Sequence, residues 1–348
     1  MSDMPLKPRG ANTNPSNRYE TLHVEPDDTG AGDVATIYYR DVSRSVLAEN
    51  DSPDVGFRFS LNPYRGCLHG CAYCYARPTH EYLGFSAGVD FESRIMVKHD
   101  APALLRTALL SPRWEPQVVA LSGNTDCYQP VERQLGITRR CLEVFAEFRN
   151  PVGVVTKSAL VARDADLLAE LAAHHAAHVC CSVTTLDPDL ARRMEPRAAQ
   201  PAKRLEAIAA LTAAGVPVTV LIGPVIPGLN DAEIPRILAA AKAAGARSAS
   251  WVLLRLPKPV DELFTSWLEE QFPDRKERVL HRIQDTRAGR MSDAAFGRRK
   301  RGQGEYASQI AALFDAAARK YDLARPLPPP SAAAFRRPPV PGDQLRLW

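Results

Sequence analysis

Residues Phe57 to Cys74 read FRFSLNPYRGCLHGCAYC. Phe57 to Leu61 alternates apolar and polar residues as a short strand does, and Asn62-Pro63 then turns the chain into a loop holding Cys67, Cys71 and Cys74. Three thiols are thereby placed just past the carboxyl end of a strand. They supply one thiolate fewer than a closed zinc site or a four-iron cluster takes, so one metal position stays open to another ligand. Gly70, directly before Cys71, lets the backbone bend round a bulky inorganic core. A Cys3His zinc knuckle completed by His69 or His80 is the competing reading of the same residues.

Downstream, β-rich runs alternate with helical patterns. Strands are expected at Phe57 to Leu61, Gln117 to Leu121, Val152 to Thr156, His178 to Thr184, Val216 to Ile222 and Ser248 to Leu256. Helices fit between them at Leu104 to Leu110, Thr138 to Phe148, Asp164 to His175, Pro201 to Ala214 and Asp231 to Ala244. In the last of these, Asp231 is placed to cap the helix, and Ile234, Ile237, Leu238 and Ala241 form one apolar face. Six β/α units in series predict an α/β fold, a partial (β/α)6 TIM-type barrel, with a doubly wound sheet as the alternative. In a barrel the strand ends gather at one mouth. The segments expected there are polar: Asn62, Ser122 to Asp126, Thr156-Lys157, Thr184-Thr185 and Gly223 to Asn230.

The cysteine spacing, with Tyr73 directly before Cys74, resembles the signature of the radical S-adenosylmethionine (SAM) superfamily. The resemblance implies a [4Fe-4S] cluster on Cys67, Cys71 and Cys74. It also implies SAM chelating the open iron and being cleaved reductively to a 5′-deoxyadenosyl radical. By the same resemblance Tyr73 packs near adenine, Ser122, Gly123, Asn124 and Thr125 meet the SAM amino group, and Ser182 and Thr184 take ribose or carboxylate. Gly223 and Gly228, within VLIGPVIPGLN, allow backbone to approach adenine. Lys157 is a further candidate for a carboxylate or phosphate.

Wider motifs are similar to the group related to spore photoproduct lyase: Asn62-Pro63-Tyr64-Arg65-Gly66-Cys67, Cys74-Tyr75-Ala76-Arg77 and Thr125-Asp126-Cys127-Tyr128-Gln129-Pro130. That likeness runs from about Arg9 to Tyr321. It implies lyase-type repair chemistry on nucleic acid, Cys127 as the thiol that returns a hydrogen atom, and an electron donor such as flavodoxin or ferredoxin. No flavin fingerprint accompanies it, so light-driven repair is not expected. Two other readings stand beside it: radical modification of a protein or small molecule, and a non-catalytic zinc or iron-sulfur module that binds nucleic acid.

The 348 residues suffice for one large catalytic domain with appendages, divided as 1–55, 56–257, 258–324 and 325–348. Seven cysteines without framework spacing suit a reduced, cytoplasmic chain, and no apolar run approaches the ~20 residues of a membrane span. Net charge is only +4, yet Arg287, Arg290, Arg298, Arg299, Lys300 and Arg301 crowd one glycine-rich segment, where a polyanion is the expected partner. Asp261 to Phe272, Arg275 to Asp285 and Glu305 to Tyr321 read as helices around it. Proline richness predicts a disordered or extended tail from Arg325. Its last residues, with Gln344, Leu345, Leu347 and Trp348, resemble peptides that dock on the DNA sliding clamp.

Overall fold

A computed structural model describes residues 10–19 and 35–339. In chain order the strands are β1 (Ile37–Arg40), β2 (Leu47–Glu49), β3 (Phe59–Leu61), β4 (Tyr64–Arg65), β5 (Arg94–Val97), β6 (Val119–Leu121), β7 (Val152–Thr156), β8 (Ala177–Ser182), β9 (Val218–Val225) and β10 (Ser248–Leu253). The α-helices are α1 (Asp90–Ser93), α2 (Ala101–Leu110), α3 (Glu132–Leu135), α4 (Ile137–Phe148), α5 (Ala165–Ala173), α6 (Pro188–Met194), α7 (Pro201–Ala213), α8 (Ile234–Ala243), α9 (Val260–Gln271), α10 (Lys276–Asp285), α11 (Arg298–Arg301) and α12 (Glu305–Lys320).

The large sheet runs β10-β9-β8-β7-β6-β3-β2, and every pair is parallel except β2 with β3. Its six parallel strands are those the sequence pattern predicts, and they lie side by side in chain order. A doubly wound sheet reverses its strand order at a switch point, and this one does not. The two end strands, β10 and β2, do not pair, so the barrel is partial.

Local sequence explains the units. In α7 Pro201 needs no amide partner at the first position, Ala207, Ile208 and Leu211 are buried, and Gly215 at φ +85° turns the chain toward β9. The α8 face of Ile234, Ile237, Leu238 and Ala241 is fully buried, as its spacing predicts. Asp231, by contrast, does not cap α8. Its carboxylate accepts from Gly228 N and from the Tyr306 hydroxyl, and α8 starts one short turn later.

Two features escape the sequence pattern. A small second sheet, β1-β5-β4, backs the cysteine loop. The tail is extended but docked along residues 325–339, which corrects the expectation of disorder there. Ser331 N donates to His175 O (2.7 Å), Arg336 N to Phe148 O (2.9 Å) and Arg337 Nη2 to Trp114 O (2.9 Å). These acceptors precede β8, β7 and β6, so the tail crosses the end of the barrel opposite the cysteines. Gln344, Leu345, Leu347 and Trp348 lie outside the described residues.

Candidate active site

β3 delivers the chain to the cysteine loop, and buried polar groups then fix the loop's path. Cys67 N donates to Phe91 O (2.9 Å) and Ala72 N to Met194 O (3.0 Å). The buried amide of Gln129 spans the loop's entry, accepting from Leu68 N (2.8 Å) and donating to Gly66 O (3.2 Å). Arg77 holds its exit, giving Nε and Nη2 to Cys71 O at 3.1 and 3.0 Å and pairing through Nη2 with Glu92 Oε1 at 2.6 Å. Both partners of that ion pair are fully buried. The remaining capacity of Glu92 accepts from Gly10 N (3.1 Å) and Ala11 N (2.8 Å), so an N-terminal strap closes over the loop.

Gly70 stands where only glycine fits. Its φ is +64°, and a Cβ there would press into the Glu92 carboxylate. Gly70→Ala should therefore lose more than the roughly 1–2 kcal/mol that left-handed backbone costs an L-residue. Gly136→Ala, at φ +60° with nothing within 4 Å of the added carbon, should lose only that backbone share. Urea unfolding of the two variants against the parent checks the difference.

Cys67 and Cys71 are buried and Cys74 is partly so. Burial pushes the free Cys67 thiol up to about 12, while a bound metal would favour the thiolate instead. Among the described residues no three His, Cys, Asp or Glu side chains converge as a single ion would need. A cluster whose irons each take one thiolate does not demand that convergence. The histidines of the zinc reading are occupied elsewhere: His69 Nδ1 lies 3.4 Å from Asp126 Oδ2, and His80 Nε2 meets Arg94 O at 2.9 Å between Phe85 and Phe91. The donor set fits an iron-sulfur cluster.

Beside the loop lies a buried charged network that sequence reasoning missed. Glu195, directly after α6, accepts from the Tyr73 hydroxyl and from Thr184 Oγ1 (2.7 Å) through Oε1, and from Arg204 Nη2 through Oε2. Arg204 also gives Nη1 to Ser182 O (3.1 Å) and Nε to Ala199 O (2.7 Å). Burial opposes the carboxylate's charge, yet Arg204, Lys157 and the two hydroxyls outweigh it and hold the Glu195 pKa at about 2. Lys157, at the end of β7, sits with Nζ 5.9 Å over the Tyr73 ring.

The other expected residues fall into two sets. Ser122, Gly123, Asn124 and Thr125 form the turn after β6, where Asn62 Oδ1 accepts from Asn124 N (2.9 Å) and Thr125 N (3.3 Å). Ser122 Oγ accepts from Cys127 N, while Thr125 Oγ1 donates to Tyr64 O (2.7 Å). Ser182 Oγ donates to Gly223 O (3.1 Å), which ties β8 to β9. Gly223 can carry no Cβ without meeting Leu221, whereas Gly228 faces α10, with Arg282 Cγ 3.5 Å from an added Cβ. Cys127 is fully buried in the main core, so returning a hydrogen atom would require it to open toward the mouth. Asp126 was legible as the end of the polar segment after β6 and as part of a motif, without a role of its own. Its carboxylate holds Thr156 Oγ1 (2.8 Å) and Lys157 N (2.7 Å), joining the ends of β6 and β7.

The basic segment is not the open surface its composition predicts. Arg287 is buried and donates to Leu254 O (2.7 Å), Arg298 O (2.9 Å) and Arg299 O (2.9 Å). Arg299 pairs with Asp54 and Ser52, and Lys300 Nζ donates to Asp54 O (2.5 Å). Arg298 pairs with Asp293 (3.1 Å), Arg301 lies over the Trp251 ring (4.6 Å), and Arg290 is exposed. Much of this charge is spent bridging the loop after β2 to the segment beside β10, across the unclosed side of the barrel.

A partial parallel barrel carrying an open-ligand cysteine loop at its mouth defines a cluster-bearing β/α-barrel protein. Residues 61–241, just over half of the chain, match the family model described as the radical SAM superfamily. The chain belongs to that superfamily, whose members use a [4Fe-4S] cluster and SAM. An uncharacterized protein of Mycobacterium tuberculosis is 38% identical over 220 residues, which are 63% of this chain and 65% of that relative. Another, of Methanocaldococcus jannaschii, is 28% identical over 178 residues, 51% of this chain and 64% of that one. The chain thus spans just under two thirds of these relatives' lengths. Among solved structures, spore photoproduct lyase complexed with dinucleoside spore photoproduct superposes with a TM-score of 0.58 at 15% identity, covering 82% of this chain and 79% of that one. A variant of that lyase with AdoMet and the dinucleoside bound gives 0.53 at 15%, covering 82% and 77%. These likenesses concern the fold. Among the described residues no helix is long and apolar enough to cross a membrane.

Proposed function

We propose that the protein is a radical SAM enzyme acting on nucleic acid, in a lyase-type repair reaction. The observation that carries the radical reading is a pre-shaped cysteine loop at the barrel mouth whose donor set fits a cluster and leaves one metal position open. Cys67, Cys71 and Cys74 would hold that cluster, which supplies the electron that cleaves SAM to methionine and a 5′-deoxyadenosyl radical. The chain's own residues orient the cofactor and enclose it. Tyr73 is buried and fixed by Glu195, so it would line the wall of the adenine site, with Lys157 over its ring as a cation for the SAM carboxylate. Asn124 is exposed on the turn after β6 and can accept from the amino group. Ser182 and Thr184 are engaged with Gly223 and Glu195, so they act by shaping the wall between β8 and β9. An external one-electron donor, a flavodoxin or ferredoxin, completes the reaction.

The nucleic-acid reading is supported by aromatic rings with arginines over them near the mouth. Tyr75 and Phe296 are 47% and 57% exposed, and Arg255 and Arg299 lie over them at 5.5 and 4.4 Å. Anaerobically reconstituted protein, given dithionite and SAM, should release 5′-deoxyadenosine and methionine. Deuterium from a labelled oligonucleotide should then appear in the 5′-deoxyadenosine. Cofactor cleavage without that transfer would keep the radical chemistry and remove nucleic acid as the hydrogen source.

A further inference from the structure

Among the described residues Arg255 forms no ion pair with an acid. It follows β10 directly, and its guanidinium carbon lies 5.5 Å from the centre of the Tyr75 ring. Tyr75 is the residue after Cys74, and its hydroxyl donates to Gly123 O at 2.8 Å. One ring therefore joins the end of the cysteine loop, the turn after β6 and the end of β10. Among the described residues the Arg255 guanidinium makes no hydrogen bond or ion pair, while Arg299 and Lys300 beside it both spend their charge on the Ser52–Asp54 loop. Arg287, also close, gives its donors to backbone carbonyls. Burial, and then the neighbouring Arg299, hold the Arg255 pKa below the usual guanidinium range, outweighing Tyr75 and Asp54, which act the other way; the Asp54 carboxylate oxygens are taken by Arg299 and Gly297.

We propose that Arg255, seated on Tyr75 at the edge of the cysteine loop, is a phosphate-binding residue that takes a phosphodiester of the substrate strand. The proposal rests on the nucleic-acid reading and adds to it a named contact. A planar guanidinium presents paired donors that match two phosphate oxygens, and stacking on an aromatic ring fixes its plane beforehand. The half-exposed ring of Tyr75 lies under this cation and that of Phe296 under the neighbouring Arg299, and rings interleaved with arginines suit a strand whose bases stack while its backbone is neutralised. Its place between the cysteine loop and the unclosed side of the barrel puts a bound phosphate at the entrance rather than at the reacting atoms.

The test is fluorescence anisotropy of the full, reconstituted chain with a labelled single-stranded oligodeoxynucleotide across a salt series, in parallel with calorimetry using inorganic pyrophosphate. Arg255→Ala should weaken oligonucleotide binding about tenfold and reduce the salt slope by about one. Arg255→Lys keeps the charge but loses the fork, so its affinity should fall between. Lys203→Ala removes an equal charge from exposed α7 and should change neither quantity. Parent-like affinity and salt slope in both Arg255 variants would overturn the proposal. If the parent binds no oligonucleotide but binds pyrophosphate in an Arg255-dependent way, the phosphate site stands and the nucleic-acid reading falls. Absence of both interactions in the parent overturns the site as well.

Discussion

Cys71→Ala should give a folded protein that releases no detectable 5′-deoxyadenosine from SAM under dithionite. Its fold should survive because the backbone at this position is held without the thiol. Arg77 grips the Cys71 carbonyl with two nitrogens, and Ala72 N is bonded to Met194 O. The lost sulfur leaves a gap in the buried cluster that also holds Ala72, Tyr73, Leu190 and Met194, a cost on the order of 1 kcal/mol. Chemistry has no such reserve. Two thiolates remain for a cluster that needs three, so iron per chain should fall with the product. Cys180→Ala, in β8 and outside the loop, is the matched control and should retain both iron and product. A Cys71→Ala protein that cleaves SAM at the parent rate would remove the cluster from this loop.

Glu195→Ala should cost roughly 3–5 kcal/mol of stability, because it strands the buried Arg204 cation and leaves two hydroxyl donors without their acceptor. Glu195→Gln keeps an acceptor for Tyr73 or Thr184 but not the counter-charge, so it should fall between alanine and the parent. The effect depends on pH with a definite sign. The folded pKa of about 2 lies below the ordinary 4.5, so the unfolded chain binds a proton first as pH falls. This carboxylate's stabilisation is therefore complete above about pH 4.5 and is lost progressively toward pH 2, a span on the order of 3 kcal/mol. Urea unfolding at neutral pH and near pH 3 should show the gap between parent and Glu195→Ala narrowing in acid. A constant gap would mean that Arg204 is not the partner that matters.

Much of the fold was legible because its signals are local. Strand alternation, the apolar face of α8 and the glycine after α7 each lie within one element, and the barrel follows from repeating them. The small sheet was not legible, since β4 has two residues and β1 joins β5 across more than fifty. The place of the cysteine loop just past β3 was readable from the strand pattern before it. Glu195 and Arg204 were not: they stand at the end of a short helix and inside a longer one, and only the chain's return past Tyr73 makes a carboxylate there into a buried anchor. The basic segment misled for the opposite reason. Composition counts charges, but it cannot show that Arg287 points into backbone carbonyls or that Asp54, more than two hundred residues earlier, claims Arg299.

The long reach between Tyr73 and Glu195 also bears on the chain's synthesis. These partners are 122 residues apart, so the cysteine loop leaves the ribosome well before the element that closes over it exists. At 5–20 residues per second that interval is roughly 6–24 s. Throughout it three neighbouring thiols stand in solvent with ordinary acidity, open to oxidation and to pairing with one another. The share of chains able to accept a cluster is thus set in part by how reducing the surroundings of the nascent chain are, before any barrel exists to shelter the loop.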